Sequence, residues 1–312
     1  MISWSAPANN GASITKYEVS RKTGSGAYAV VNANVTGTSY TDSSLTAGTA
    51  YTYKVRAYNA AGWGGYSAEK GATPYTVPNA PGAPVVSPGN GQNVITWTAP
   101  ANGGNAIDSY EVFQNGISIG TTATTSMNKT GLSNGTEYTY TVKAHNTAGW
   151  SAASAGTKAT PYTIPAAPGA PVVAPGNGQN VISWTAPANN GSAIDNYEVF
   201  QNNVSIGTTK STTLTKTGLT NGTAYTYTVK AHNAAGWSAA SAGTAGTPRN
   251  LPNKPAAPTV TLGDKQVTIY WAAPAANGAS ITNYEVFQNG VSIGTTTSLS
   301  MNKTGLVNQT GK

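Results

Sequence analysis

The sequence predicts an all-β protein, a string of small antiparallel sandwiches. Three observations carry that prediction: the composition, a strict internal repeat, and an alternation of apolar and polar residues with period two. Only 9% of the 312 residues are charged and 38% are hydrophobic, so Thr, Ser, Asn, Gln and Gly must cover most of the surface. With 17 Tyr and 7 Trp against 3 Phe, and no long Glu/Lys/Leu/Ala run, that mixture suits strands and not helix bundles.

The repeat sets the organisation. Trp97, Trp184 and Trp271 stand 87 residues apart in VITW, VISW and TIYW, and Tyr110, Tyr197 and Tyr284 follow at the same step, each in YEVFQN. Leu45, Leu132, Leu219 and Leu306 keep that step, and Pro74, Pro161 and Pro248 close three units. A fixed period of this size marks tandem copies of one structural unit. The segment from Tyr138 to Thr157, YTYTVKAHNTAGWSAASAGT, returns from Tyr225 to Thr244 with Ala234 for Thr147 as its one change.

Each element of a unit has its own signal, in chain order. PGAPVV, holding Pro84, is a first strand, and PGNGQN at Pro88–Asn93 is the turn leading to a second strand ending in Trp97. A third strand, SYEVFQN, is followed by an Asn-Gly turn at Asn115–Gly116 and the short strand ISIGTT. In YTYTVKA the residues Tyr138, Tyr140, Val142 and Ala144 share one face, and Thr139, Thr141 and Lys143 the other, as in a half-buried strand. The first unit differs: Trp4 precedes Leu45 by 41 residues, whereas Trp97 precedes Leu132 by 35. The extra residues predict a longer hairpin with Gly24 and Gly26 at its turn.

These marks together resemble the fibronectin type III family: a Trp on the second strand, a Tyr on the third, the proline of the first strand, and a Leu-x-x-Gly-x-x-Tyr corner at Leu132, Gly135 and Tyr138. The resemblance implies an immunoglobulin-like sandwich in which the corner Tyr hydroxyl bonds back to nearby backbone. The corner departs from the family in carrying Asn134, Asn221 or Ala47 where proline is favoured. The expected domains are 1–75, 79–162, 166–249 and 252–312. Aligned on the tryptophans, Met1 falls opposite Val94 and Lys312 opposite Tyr138. Two units are therefore expected to be complete and two truncated, the first lacking strand A and the fourth strands F and G, as in a window cut from a longer array. The proline-rich connections TPYTVPNAPGAP, TPYTIPAAPGAP and TPRNLPNKPAAP predict extended, semi-rigid linkers.

The sequence offers little chemistry. The net charge of +7 is scattered without a cluster, which argues against a nucleic-acid partner. There is no cysteine and no apolar run of membrane-spanning length, so neither a thiolate site nor a membrane span is expected. Glu18, Glu111, Glu198 and Glu285 have the outward phase in YEV and read as a solvated face, with no second carboxylate to form an acid/base pair. His145 and His232 stand 87 residues apart with no acid in their local sequence, which suits neither a metal centre nor a triad. Asp108 and Asp195 read as turn residues capping local N–H groups. No catalytic residue, metal ligand or cofactor is expected.

Trp63, Trp150 and Trp237, in the Gly-flanked loop after the long strand, are the candidate ligand-stacking residues, because an exposed indole can pack on a sugar ring or fill a partner's pocket. The expected function is a non-catalytic spacer or stalk in a longer secreted, cell-surface or virion protein. The alternative is an adhesive or carbohydrate-binding module, with a polysaccharide or a surface protein as partner.

Overall fold

The computed structural model describes residues 1–307, and among them every regular element is a β-strand. The chain divides into two compact units, Met1–Pro161 and Tyr162–Lys312.

In the first unit, the complete sandwich is built from Val85–Gly89 to Thr157–Ala159. One sheet runs Ser126–Thr130, Gln92–Thr96, Val85–Gly89. The other runs Ile117–Thr122, Ser109–Gln114, Tyr138–Asn146, with Gly149–Trp150 and Thr157–Ala159 both pairing the last strand. Pro88 lies on an edge strand, where its missing N–H costs no central ladder bond. The inward residues Ile95, Trp97, Tyr110, Val112, Tyr140, Val142 and Ala144 form one core cluster. Burying each large member contributes roughly 1.5–3 kcal/mol. Trp97 meets Tyr110 edge-on, with ring centroids 5.4 Å apart.

The same unit begins with a sandwich whose five-stranded sheet is Ala29–Val35, Lys16–Thr23, Tyr51–Asn59 with Gly62–Trp63 and Lys70–Ala72. Its opposing sheet consists of Ile2–Ser3 paired with Ser39–Tyr40 among the described residues. The hairpin is longer than in the other sandwiches and turns at Gly24, which has φ +51°, with Gly26 N donating to Thr23 O at 3.0 Å.

The second unit repeats the complete sandwich 87 positions on. Its core is Ile182, Trp184, Tyr197, Val199, Tyr227, Val229 and Ala231. The pairing is conserved between copies: Tyr110↔Ala144 and Val112↔Val142 become Tyr197↔Ala231 and Val199↔Val229. Beyond it lie a three-stranded sheet, Thr259–Gly263, Gln266–Tyr270, Ser300–Thr304, and a two-stranded one, Tyr284–Gln288 with Val291–Thr296.

The corner tyrosines act as the family resemblance implies, with the hydroxyl as acceptor. Ser133 N donates to Tyr138 Oη at 3.2 Å, Thr220 N to Tyr225 Oη at 3.2 Å, and Thr46 N to Tyr51 Oη at 3.0 Å. Where the corner carries Asn instead of proline, the side chain ties it to the opposite turn. Asn134 Oδ1 accepts Gly91 N at 2.9 Å and Asn134 Nδ2 donates to Asn90 Oδ1 at 2.8 Å, and Asn221 repeats this with Gly178 and Asn177.

The SAAS element of the repeated segment has a structural explanation. Past Trp150 the chain leaves regular pairing, and two buried serines stand in for the ladder. Ser151 Oγ accepts Ala144 N at 2.9 Å and Ser154 Oγ accepts Val142 N at 3.0 Å, while their own N–H groups reach the carbonyls of the same two residues. Ser238 and Ser241 do the same for Ala231 and Val229. Ser154→Ala strands the buried Val142 N–H and is expected to destabilise its sandwich by about 1–3 kcal/mol. Urea unfolding should show a lower midpoint at unchanged slope, and an unchanged midpoint would refute the role given to the hydroxyl.

Inside each unit the linker is clamped between sandwiches. In Met1–Pro161, Gly48 N donates to Pro74 O at 2.8 Å, Thr76 N to Gly103 O at 2.8 Å, and Asn79 N to Ala101 O at 2.9 Å. The buried Asn146 side chain donates to Thr76 O at 2.9 Å and to Asn102 O at 2.8 Å. Gly104, with φ +91°, sits so close that a Cβ would lie 2.7 Å from Gly48 Cα and 2.8 Å from Pro74 O. In Tyr162–Lys312 the arrangement recurs: Gly222 N donates to Pro248 O, Asn250 N to Asn277 O, and Asn277 Nδ2 to Leu251 O. Gly278, with φ +96°, occupies the place of Gly104, a Cβ there lying 2.7 Å from Gly222 N.

Candidate functional site

The tryptophan hairpins are built by one local device. Gly62, Gly149 and Gly236 have φ of +116°, +127° and +126°, the left-handed region that side chains disfavour, and this turns the chain back after two residues. The following Trp pairs across the ladder with the last outward residue of the long strand: Trp63 with Tyr58, Trp150 with His145, Trp237 with His232. The rings pack on those partners at centroid distances of 4.9, 4.6 and 4.7 Å. Each indole therefore has one covered face. Relative exposures of 36%, 39% and 38% leave the other part open, so these side chains are neither core residues nor free-standing spikes.

The three sites differ in their cations. Trp63 lies beneath Arg56, 4.8 Å from its ring centroid, and Lys16, at 5.5 Å. Arg56 also lies over Tyr66, and Lys54 over both Tyr66 and Tyr28, making an alternating cation–aromatic row on the first sandwich. Cations packed on ring faces are held electrostatically. In the second and third sandwiches, Lys143 and Lys230 instead lie over Phe113 and Phe200. Trp150 and Trp237 are thus the two that meet only a histidine ring among the described aromatic and cation contacts.

The histidines are not without an acid. The fold brings Asp108, 37 residues earlier in sequence, to 2.8 Å from His145 Nδ1, and Asp195 to 2.7 Å from His232 Nδ1. Adjacent-strand pairing creates this contact, so local sequence carries no sign of it. The reading of these aspartates as caps for local N–H groups is corrected accordingly: their carboxylates orient the imidazoles on which the tryptophans pack. The His145 ring, and next the Ser109 hydroxyl, hold the Asp108 carboxyl below its ordinary range. A catalytic triad is not formed. Ser109 Oγ donates to the carboxylate at 2.8 Å and does not reach the imidazole, and the third sandwich has Asn196 in its place.

Glu18 also departs from the sequence reading. It is buried, not solvated, and Arg56 grips it through two bonds, Nε to Oε1 at 3.0 Å and Nη2 to Oε2 at 2.8 Å. Tyr66 Oη donates to the same carboxylate at 2.6 Å. The Arg56 bonds come first in holding its pKa below the ordinary glutamate value, against the opposing effect of burial. The cause is cross-strand register, which sets Glu18 opposite Arg56. Glu111 and Glu198 sit opposite Lys143 and Lys230 and remain more open. Elsewhere in the first sandwich, burial and then the Asp42 bond push the Tyr53 hydroxyl up to about 12.

Among the described residues, no three His, Asp or Glu side chains converge as metal ligands, and no helix is long and apolar enough to cross a membrane.

A family model for the fibronectin type III domain matches residues 1–70, 79–160 and 166–247. The chain is 36% identical over 250 residues to Exoglucanase B of Cellulomonas fimi, 30% over 265 residues to Endoglucanase B of the same organism, and 35% over 174 residues to Chitinase A1 of Niallia circulans. These alignments cover 74%, 75% and 52% of this chain, but 23%, 24% and 24% of the relatives. The chain spans under a quarter of the length of these curated relatives.

Proposed function

Because this chain belongs to the fibronectin type III family, we propose that it is a non-catalytic spacer within a longer extracellular polysaccharide-degrading protein, organised as domains 1–75, 79–162, 166–249 and 252–312. The observation that carries this reading is the clamp on the linkers. A spacer must hold its neighbours at a set separation, and a free proline-rich linker does so only on average. Here backbone bonds at Gly48 and Thr76, and the buried Asn146 amide, tie the linker to both of its sandwiches. Gly222 and Asn250 serve alike in the second unit.

The glucanases and the chitinase among the relatives support the polysaccharide setting, and favour an extracellular location over a virion surface. A second reading, adhesion to the polysaccharide itself or to a surface protein, has the open parts of Trp63, Trp150 and Trp237 in its favour. Weak sites repeated along one chain gain by avidity.

The two readings part in a pull-down of the chain on cellulose, chitin and starch. The spacer reading expects no retention above an albumin control. Retention that disappears in a Trp150→Ala, Trp237→Ala double variant would overturn it and establish the adhesive reading.

A further inference from the structure

The outer face of the five-stranded sheet in the first sandwich gathers cations that are distant in sequence. Lys16, Lys22, Lys54 and Arg56 lie on the strands Lys16–Thr23 and Tyr51–Asn59. Register sets Lys16 opposite Tyr58, Glu18 opposite Arg56, Ser20 opposite Lys54 and Lys22 opposite Thr52. Alternation turns all four pairs to one side of the sheet, so each two-residue step along this face carries one cation. The same face is open in the complete sandwiches, where Glu111, Thr141 and Lys143 stay partly exposed. Its accessibility is thus a property of the sheet and not of either chain end.

Two of the four cations are already neutralised. Arg56 gives its Nε–Nη2 edge to the buried Glu18, and Lys22 Nζ lies 2.9 Å from Glu69 Oε2. Lys16 and Lys54 have no carboxylate within ion-pair distance among the described residues. Lys16 Nζ donates to the neutral Asn34 Oδ1 at 2.9 Å. Lys54 Nζ is held between two rings, 4.0 Å from the centroids of both Tyr28 and Tyr66. Such packing fixes the ammonium without cancelling its charge, so less side-chain freedom is lost when an anion arrives. The two unpaired ammoniums stand two steps apart, about 13 Å at the rise of a strand.

We propose that this face binds a linear acidic polysaccharide, a polyuronate, with Lys16 and Lys54 each meeting a carboxylate of one polymer chain. The proposal rests on the extracellular polysaccharide setting argued above and adds a class of sugar to it. The spacing excludes a single small anion, which reaches one ammonium only. Two features disfavour a single-stranded nucleic acid. Tyr28 already carries Lys22 and Lys54, and Tyr66 carries Lys54 and Arg56, so these rings are not free platforms for bases. The guanidinium fork that grips phosphate in two places is given to Glu18.

The neighbouring sandwiches lack the device. By register, Lys16 and Lys54 are replaced by Ser109 and Thr141 in the second sandwich and by Asn196 and Thr228 in the third. At the place of Tyr66, three residues past the loop tryptophan, stand Ala153 and Ala240. The acidic ligand is therefore held at one sandwich of the array.

The test is the mobility of the whole chain in native gels containing sodium polygalacturonate. The polymer is expected to retard the chain, and less so as salt rises. The double variant Lys16→Gln, Lys54→Gln should raise Kd about tenfold, whereas Lys143→Gln, Lys230→Gln, with the same change in charge, should raise it less than about twofold. Lys16→Arg, Lys54→Arg should bind like the parent chain, which separates lost charge from lost fold. No retardation, equal losses in the two Gln variants, or equal competition by monomeric galacturonate would overturn the proposal. Tighter binding to polyadenylate would also overturn it, by giving the face to a nucleic acid. Cellulose, chitin and starch are uncharged, so their pull-down decides the spacer reading and this measurement decides the acidic site, each without the other.

Discussion

Tyr140→Ala is expected to destabilise the second sandwich by about 3–5 kcal/mol, the range for removing a large buried ring. Tyr140 is fully buried between the two sheets, within the cluster of Trp97, Tyr110 and Val142. A domain holds only about 5–15 kcal/mol in total, so the loss removes a large part of the sandwich's stability. The effect should be local. Amides of Val112 and Val142 should lose protection against hydrogen exchange, while those of Val199 and Val229 in the third sandwich keep theirs. A milder pair of substitutions isolates the hydroxyl. Tyr140→Phe leaves the buried Asn93 amide without its tyrosine acceptor, for roughly 1–3 kcal/mol. Tyr227→Phe should cost less, because Asn180 Nδ2 also reaches Gly246 O at 3.1 Å. Equal losses from the two Phe variants would show that the Asn bond does not govern the difference.

Gly104→Val should disrupt the clamped linker of the first unit without unfolding either sandwich. The added side chain meets backbone on both sides, Gly48 Cα at 2.7 Å and Pro74 O at 2.8 Å, and φ of +91° is unfavourable for a β-branched residue. Backbone strain of this kind costs about 1–3 kcal/mol, and the contacts here leave no flexible side chain to give way. The Gly48 and Thr76 amides are expected to exchange at least about tenfold faster, since opening a bonded amide by ~1.4 kcal/mol changes its exchange tenfold. Amides in Ser109–Gln114 should be unaffected. Unchanged protection at Gly48 and Thr76 would mean that the glycine contact does not hold the linker.

What could be read from the sequence was what repeats with a short period. Trp97, Tyr110, Tyr140 and Val142 lie in the core because alternation alone assigns their side, and the Asn115–Gly116 turn has positive φ at both residues, 51° and 80°. What could not be read depends on neighbours distant in sequence. Asp108 beside His145 and Arg56 across from Glu18 are products of strand register, and no local pattern encodes them. The buried serines of SAAS resemble ordinary loop residues until the backbone groups they satisfy are known. The candidate tryptophans fall between these cases. Their Gly-flanked loops are evident in sequence, but the rings that cover them, Tyr58, His145 and His232, are set by the hairpin return.

The matching pairing of the second and third sandwiches has a consequence for how the chain reaches its native state. Tyr138–Asn146 and Tyr225–Asn233 are identical and dock in the same register on identical YEVFQ strands, so either could seat in the other's place while the polypeptide is still unfolded. Exchanges of this sort are a characteristic misassembly of tandem copies. The Asn105 Nδ2 to Thr147 Oγ1 bond of 2.6 Å, at the position where the third copy has Ala234, is one of the few features that tells the correct pairing from the swapped one. Order of synthesis, with the earlier copy closing before the later one emerges, then becomes the main safeguard against entanglement.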